Sequence, residues 1–448
     1  MSRLSLPAAV SHPVRLLPLS FLALTLVGTV VLLVPVMTTG AGSAGFVDAL
    51  FTATSAVTVT GLATVDTSAY WTPAGQAVIL VLVQVGGLGI VAISTVLGLF
   101  IGGRLGLRTR LVAQTEMHVV NIGEVRPLFR RVAVIMIGFQ LAIAAILTVR
   151  YRADYFDTWA DALWHGYFDA VMAFNNAGFS LNADSLTTYA GDGLIILPIC
   201  IGVFIGAMGF PVLAELFKDW RNPDRWTIHT RLTVWGSLML LVLGAVAFIA
   251  LEWTNPATIG GLPWHERVIS GIEGSVMPRS GGLNSFDWGA TRGETLSMGT
   301  VLMFIGGGSA STAGGIKVTT FLLLGFVILA EVRGDPDVSI GNRSIGAPVM
   351  RTALSIALIS VMLVTSTTWL LMLLTEFNFE DVLFETTSAF ATAGLSTGIT
   401  PDLPHSAKLV LAALMFIGRV GTITAASAFV LRRRVTRYHL PEEQPIIG

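Results

Sequence analysis

The chain has 448 residues and a formal net charge of −1, with 53% of its residues hydrophobic and only 12% charged. A mean hydropathy of +0.74 excludes a soluble body, in which about a quarter of the residues are charged. The single cysteine, Cys200, excludes an intrachain disulfide and a cysteine-built metal cluster, and the seven histidines show no metal-ligand spacing.

In chain order, the first apolar run is Leu17–Met37, preceded by Arg3 and Arg15. It is longer than a signal-peptide core and lacks a small-residue cleavage site, so it reads as a retained span. Next comes Gly45–Val57, too short for a hydrocarbon core that needs about 20 residues. Then follow TVTGL at Thr58–Leu62, a polar stretch and the span Ala74–Ile101. The same order recurs three times. Val132–Val149, Ala162–Phe174, NNAGF at Asn175–Phe179 and Gly193–Phe217 make the second unit. Leu232–Leu251, Trp264–Val276, SGGL at Ser280–Leu283 and Leu296–Ile328 make the third. Ala353–Leu374, Asp381–Ala391, TAGL at Thr392–Leu395 and Leu409–Leu431 make the fourth.

The glycines Gly61, Gly178, Gly282 and Gly394 lie roughly 117, 104 and 112 residues apart, which is a repeat. The pattern predicts an all-α integral membrane protein with four helix–pore-loop–helix repeats, eight spans and four re-entrant helices around one pore. The repeats cover residues 14–101, 129–217, 230–330 and 350–431, followed by a short cytoplasmic tail, 432–448. Four glycine turns around one axis would present a ring of carbonyl oxygens able to replace the water of an alkali cation. The ring residues are then Thr58, Val59, Thr60 and Gly61; Asn175, Asn176, Ala177 and Gly178; Ser280, Gly281 and Gly282; and Thr392, Ala393 and Gly394. Irregular backbone at membrane depth is tolerated only where protein or a water-filled cavity satisfies it, and the negative C-terminal end of a short helix favours a cation.

Eight spans put both termini on one side. That side carries 19 Arg or Lys, the other only Arg150, Arg152, Arg267, Arg279, Arg292 and Lys408. Positive residues stay inside, so both termini are expected in the cytoplasm. The outer loops hold most of the acids, among them Asp48, Asp66 and Asp169. Either they concentrate cations at an entrance, or the outer face simply tolerates them.

A second informative segment is GGGSASTAGGIK. Gly306, Gly307, Gly308, Ser309, Ala310, Ser311, Thr312, Ala313, Gly314 and Gly315 should break the helix in mid-membrane, because each glycine costs about 1 kcal/mol against alanine. It is no phosphate-binding loop, since Ile316 separates Gly315 from Lys317. The freed backbone groups must then face a cavity, unless the small residues serve close helix packing. Arg419, in FIGRVGTIT of the last span, is costly in a membrane and needs partners. The freed carbonyls of 306–315 are the expected acceptors, with snorkelling to the inner face as the alternative. Lys317 is ambiguous in the same way. The centres of the long spans lack the Asp, Glu or His that a proton-coupled carrier uses.

TVTGL and NNAGF, with PRSGGLNSFD at Pro278–Asp287 and ATAGLSTG at Ala391–Gly398, resemble the four filter segments of the Trk/Ktr/HKT superfamily of potassium transporters. The resemblance covers nearly the whole chain and is closest to the bacterial Ktr membrane subunit. The third segment departs most, since the family usually has Arg-Thr-Ala-Gly-Phe-Asn there. The resemblance implies K⁺ as the substrate ion, favoured by Gly61 in the first segment, and uptake across the plasma membrane. It leaves Na⁺ coupling or activation open. It also implies a gating role for 306–315, Lys317 and Arg419, and a homodimer on a cytosolic nucleotide-binding RCK ring. The basic segments Arg104–Arg131 and Arg432–Arg437 suit that ring or anionic membrane lipid. No enzyme activity, covalent cofactor or nucleic-acid partner is expected. A Na⁺- or H⁺-coupled carrier for another monovalent cation is the competing reading; it predicts one broken-helix pair rather than four filters.

Overall fold

The computed structural model describes residues 13–40, 42–102, 122–341 and 343–421. The basic segments at Arg104–Arg110 and Arg432–Arg437, the end of the last expected span and the tail 432–448 lie outside the described residues. The chain begins with α1 (Pro13–Leu32), α2 (Phe46–Val57) and α3 (Pro73–Gly102). Then come α4 (Ile122–Asp154), α5 (Trp159–Asn175), α6 (Gly193–Met208) and α7 (Phe210–Asp219). Next are α8 (Ile228–Glu252), α9 (Trp264–Val276), α10 (Gly293–Phe304) and α11 (Val318–Arg333). Last come α12 (Ala347–Leu374), α13 (Phe379–Ala391) and α14 (His405–Phe416), which runs into a π-helical turn at Ile417–Gly421. Among the described residues, apart from one antiparallel pair of two-residue strands, Ser339–Ile340 with Arg343–Ser344, the regular structure is helical, as expected.

Four short helices, α2, α5, α9 and α13, stand where the sequence places re-entrant segments. Helix α9 has the predicted bounds. Helix α5 starts three residues early because Thr158 caps it, its Oγ1 accepting the Asp161 amide at 3.1 Å. Each short helix packs beside the long helices of its own unit: α2 on α1 and α3, α5 on α4 and α6, α9 on α8, and α13 on α12 and α14.

The surface is apolar, and polar and charged side chains are buried within a largely apolar core. Helix α12 shows Leu358, Met362, Trp369 and Leu373 at 60–82% exposure, while Glu273, Glu385, Arg279 and Arg419 are buried with many Ser and Thr side chains. Such a surface suits lipid, not water. Among the described residues three helical stretches are individually long and apolar enough to cross a membrane: Arg130–Asp154, Ile228–Glu252 and Ala347–Leu374.

Two expected spans are broken. The break in Leu296–Ile328 was anticipated; α10 ends at Phe304 and α11 resumes at Val318. The break in Gly193–Phe217 was not. There α6 and α7 meet at 101° around Gly209, whose φ is +90°, and Pro211 opens α7 at a position that needs no amide donor. The two breaks lock together: the Gly308 amide donates to the Ala207 carbonyl at 2.7 Å and the Phe210 amide to the Ala310 carbonyl at 3.1 Å. A methyl group on residue 209 would sit 2.3 Å from the Ser309 carbonyl oxygen. Gly209→Ala is therefore expected to cost at least about 1–3 kcal/mol and to lower the melting temperature in detergent; an unchanged transition contradicts this account of the bend.

Candidate functional site

Each short helix stops where its glycine segment begins, and the backbone then alternates in hand. The residue two places before the glycine is left-handed in all four segments: Val59 (φ 56°), Asn176 (φ 61°), Ser280 (φ 80°) and Thr392 (φ 46°). None is glycine, and Val59 is β-branched, so this conformation is strained. Gly61, Gly282 and Gly394 also have positive φ, at 97°, 73° and 90°.

Local donors hold the strain. The Thr60 amide donates to the Ser55 carbonyl at 2.8 Å, and the Gly61 amide to Ser55 Oγ at 3.0 Å. In the fourth segment the Ala393 amide donates to the Ser388 carbonyl at 2.8 Å, and the Gly394 amide to Ser388 Oγ at 3.1 Å. The same serine, six residues before the glycine, serves both. Met172 and Val276 stand there in the other two; the Met172 carbonyl still accepts the Ala177 amide at 2.9 Å, but neither residue offers a hydroxyl, and these segments add other anchors. Asn175 Nδ2 donates to Gln84 Oε1 at 2.9 Å, and Asn176 Nδ2 to the Val203 carbonyl at 3.1 Å. Arg279, buried beside the third segment, donates through Nη1 and Nη2 to the carbonyl and Oγ of Ser237, both at 3.1 Å.

The four segments meet. A methyl on Gly61 would lie 2.1 Å from the Gly178 nitrogen, one on Gly178 2.6 Å from the Gly282 carbonyl oxygen, one on Gly282 2.6 Å from the Ala393 carbonyl oxygen, and one on Gly394 2.2 Å from the Thr60 carbonyl oxygen. Segment one touches two, two touches three, three touches four and four touches one. Residues more than 100 positions apart in sequence thus close a ring of main chain, buried except at Gly178, which is half-buried.

The glycine-rich segment lies against this ring. Its backbone pairs with itself, the Gly306 amide donating to the Ile316 carbonyl at 2.9 Å and the Ile316 amide to the Phe304 carbonyl at 3.0 Å. From it Thr312 Oγ1 donates to Asn176 Oδ1 at 2.6 Å, and the Gly314 amide donates to Ser280 Oγ at 3.1 Å. Ser280 Oγ in turn donates to the Thr392 carbonyl at 2.8 Å. Loop and ring are one hydrogen-bonded body at segments two, three and four.

Arg419 corrects the sequence reading. It is 2% exposed, so it does not snorkel. Its Nη1 donates to Thr392 Oγ1 at 3.2 Å, not to the carbonyls of 306–315. Lys317 takes those: its Nζ lies 2.7 Å from the Ala313 carbonyl and 3.5 Å from that of Gly314. Nε and Nη2 of Arg419 have no partner among the described residues. The long spans lack mid-depth acids as expected, yet the short helices bury Asp169, Glu273 and Glu385. Hydropathy scanning passes over these because it weighs the long runs.

A lipid-facing apolar exterior around buried polar and charged side chains and a closed ring of strained main chain defines a multi-pass membrane transporter. The chain belongs to the TrkH family: the family model, described as a cation transport protein, matches residues 4–435. It is 38% identical over 417 residues to the Ktr system potassium uptake protein B of Bacillus subtilis, covering 93% of both chains. It is 36% identical over 436 residues to the Ktr system potassium uptake protein B of Vibrio alginolyticus, covering 97% of this chain and 94% of that one. The crystal structure of the potassium transporter TrkH from Vibrio parahaemolyticus superposes with a TM-score of 0.74 over 93% of this chain and 85% of that one, at 18% sequence identity.

Proposed function

We propose that this protein takes up K⁺ across the plasma membrane through a pore whose selectivity filter is the four-segment ring. Four helix–loop–helix repeats, making eight spans with both termini cytoplasmic, surround that pore. The observation that carries the reading is the closure of the ring from four segments of one chain, each with the same left-handed residue two places before its glycine. Alternating backbone hand turns successive carbonyls to one side, where their dipoles substitute for hydration water. The names of the two Ktr relatives agree with K⁺ as the ion.

The segment 306–315 serves as a gate against the filter, held by Lys317 and backed by the charge of Arg419. Because those relatives carry the name of a Ktr system, the chain acts as its membrane subunit. It forms a homodimer on a cytosolic nucleotide-binding ring, with the basic inner loops on that ring or on anionic lipid. The test is rubidium uptake into proteoliposomes of the purified protein with Na⁺ as competitor. Saturable Rb⁺ entry that excess K⁺ suppresses more than equal Na⁺ is expected. Monodisperse protein that carries no Rb⁺ overturns the reading.

A further inference from the structure

The short helices carry a feature that neither the ring nor the gate uses. Nine residues before the filter glycine stand Asp169, Glu273 and Glu385 in units two, three and four, and Thr52 in unit one; all four are at most 1% exposed. A carboxylate buried at a repeat-equivalent site needs donors, and the donors differ in an informative way.

Glu273 reaches the outer limb of its own segment. Its Oε1 accepts the Ser285 amide at 2.6 Å and its Oε2 accepts the Ser285 hydroxyl; Ser285 stands three residues past Gly282. Glu385 accepts the hydroxyl of Thr400, on the outer limb of segment four. In unit one Thr52 Oγ1 has no partner among the described residues, and the task passes to Asp48, one helical turn earlier. There Thr64, three past Gly61, donates to Asp48 Oδ1 at 2.8 Å. Unit two is the exception: Asp169 accepts Tyr151 of α4 at 2.6 Å, and residue 181, three past Gly178, is a leucine. The outer limb of segment two leans instead on segment three. The Leu186 amide donates to the Asn284 carbonyl at 2.9 Å, and the Asn284 amide to Ser185 Oγ at 3.1 Å. Asn284 adjoins Ser285, so Glu273 anchors two limbs where Glu385 and Asp48 anchor one each.

We propose that Glu273 is the principal positioning residue of the filter, a buried tether that fixes the outer limbs of segments three and two and so sets discrimination between K⁺ and Na⁺. The inference rests on the pore reading above. A filter that selects by fit refuses a smaller cation when its carbonyls cannot follow it inward, and a tethered limb cannot. Glu273 touches no ion; it acts through Ser285 and Asn284.

The test compares Rb⁺ and Na⁺ uptake in proteoliposomes containing the full-length protein and its E273A, E273Q, S285A and D169N variants, with monodispersity measured for each. Glutamine keeps one acceptor for the Ser285 amide and turns a donor to its hydroxyl, so E273Q is expected to retain the Rb⁺/Na⁺ ratio. E273A is expected to lower the ratio about tenfold, and S285A, which loses only the hydroxyl arm, about threefold. D169N, equally buried but bonded to a span, is expected to reduce stability while keeping the ratio. If E273A does not assemble, S285A against E273Q decides by the same contrast. Wild-type Rb⁺ entry with the ratio unmoved in both E273A and S285A, or lowered equally in D169N, overturns the tether while leaving the pore intact. No Rb⁺ entry in the wild-type protein overturns the pore itself.

Discussion

Rubidium uptake by the Gly61→Ala protein is expected to fall at least about 100-fold, a loss corresponding to roughly 3 kcal/mol. Two penalties coincide at this residue. Its φ of +97° is strained for alanine by about 1–3 kcal/mol. In addition, the new methyl would lie 2.1 Å from the Gly178 nitrogen, a contact relieved only by moving the neighbouring segment. Because each segment touches the next, that movement spreads around the ring. Gly398→Ala separates the two penalties: its φ is +95°, but open space surrounds the missing Cβ. That variant should lose stability and keep its uptake. Equal uptake by Gly61→Ala and wild-type protein, both monodisperse, contradicts the role assigned to the ring.

Leak conductance should rise about five- to tenfold in Arg419→Ala, as expected when a buried positive charge facing a cation path is removed. On the proposed reading the arginine contributes a charge barrier, and among the described residues its Nη1 donates to Thr392 Oγ1. Thr392 is also tied to the glycine-rich segment, since its carbonyl accepts Ser280 Oγ and Ser280 Oγ accepts the Gly314 amide. Loss of Arg419 therefore loosens the filter edge as well as lowering the barrier. Lys317→Ala releases only the carbonyls of Ala313 and Gly314 and should raise the leak less. Flux measured with voltage-sensitive dye in liposomes at fixed protein density reads both variants. An unchanged leak in Arg419→Ala removes the barrier from the account.

The periodic features were legible in the sequence. Apolar runs located α4, α8 and α12, though α4 starts ten residues and α12 six residues before the expected span, and they placed the four short helices to within three residues, because length against membrane thickness is a coarse and robust signal. The glycine spacing identified the four turns that converge. What the sequence hid were features set by tertiary partners. Gly209 reads as one more small residue in an apolar helix; it becomes a bend because residues 308–310 lie against it, the Gly308 amide donating to the Ala207 carbonyl and the Ala310 carbonyl accepting the Phe210 amide. The acceptor for Arg419 was misplaced, since Lys317 stands nearer the carbonyls of 313 and 314. Asp169, expected among the acids of the outer face, is instead buried in α5, and Glu273 and Glu385 carry no signal of burial because each lies in a short helix of moderate polarity. Aligning the four units on their glycines would have exposed the shared nine-residue offset of Asp169, Glu273 and Glu385.

The most direct measurement is anomalous scattering from crystals of the full-length protein grown in Tl⁺ or Rb⁺. The account predicts density enclosed by the main-chain oxygens beside Gly61, Gly178, Gly282 and Gly394, diminished when excess K⁺ competes. Transport-competent protein whose crystals place the heavy cation only outside that ring would contradict it.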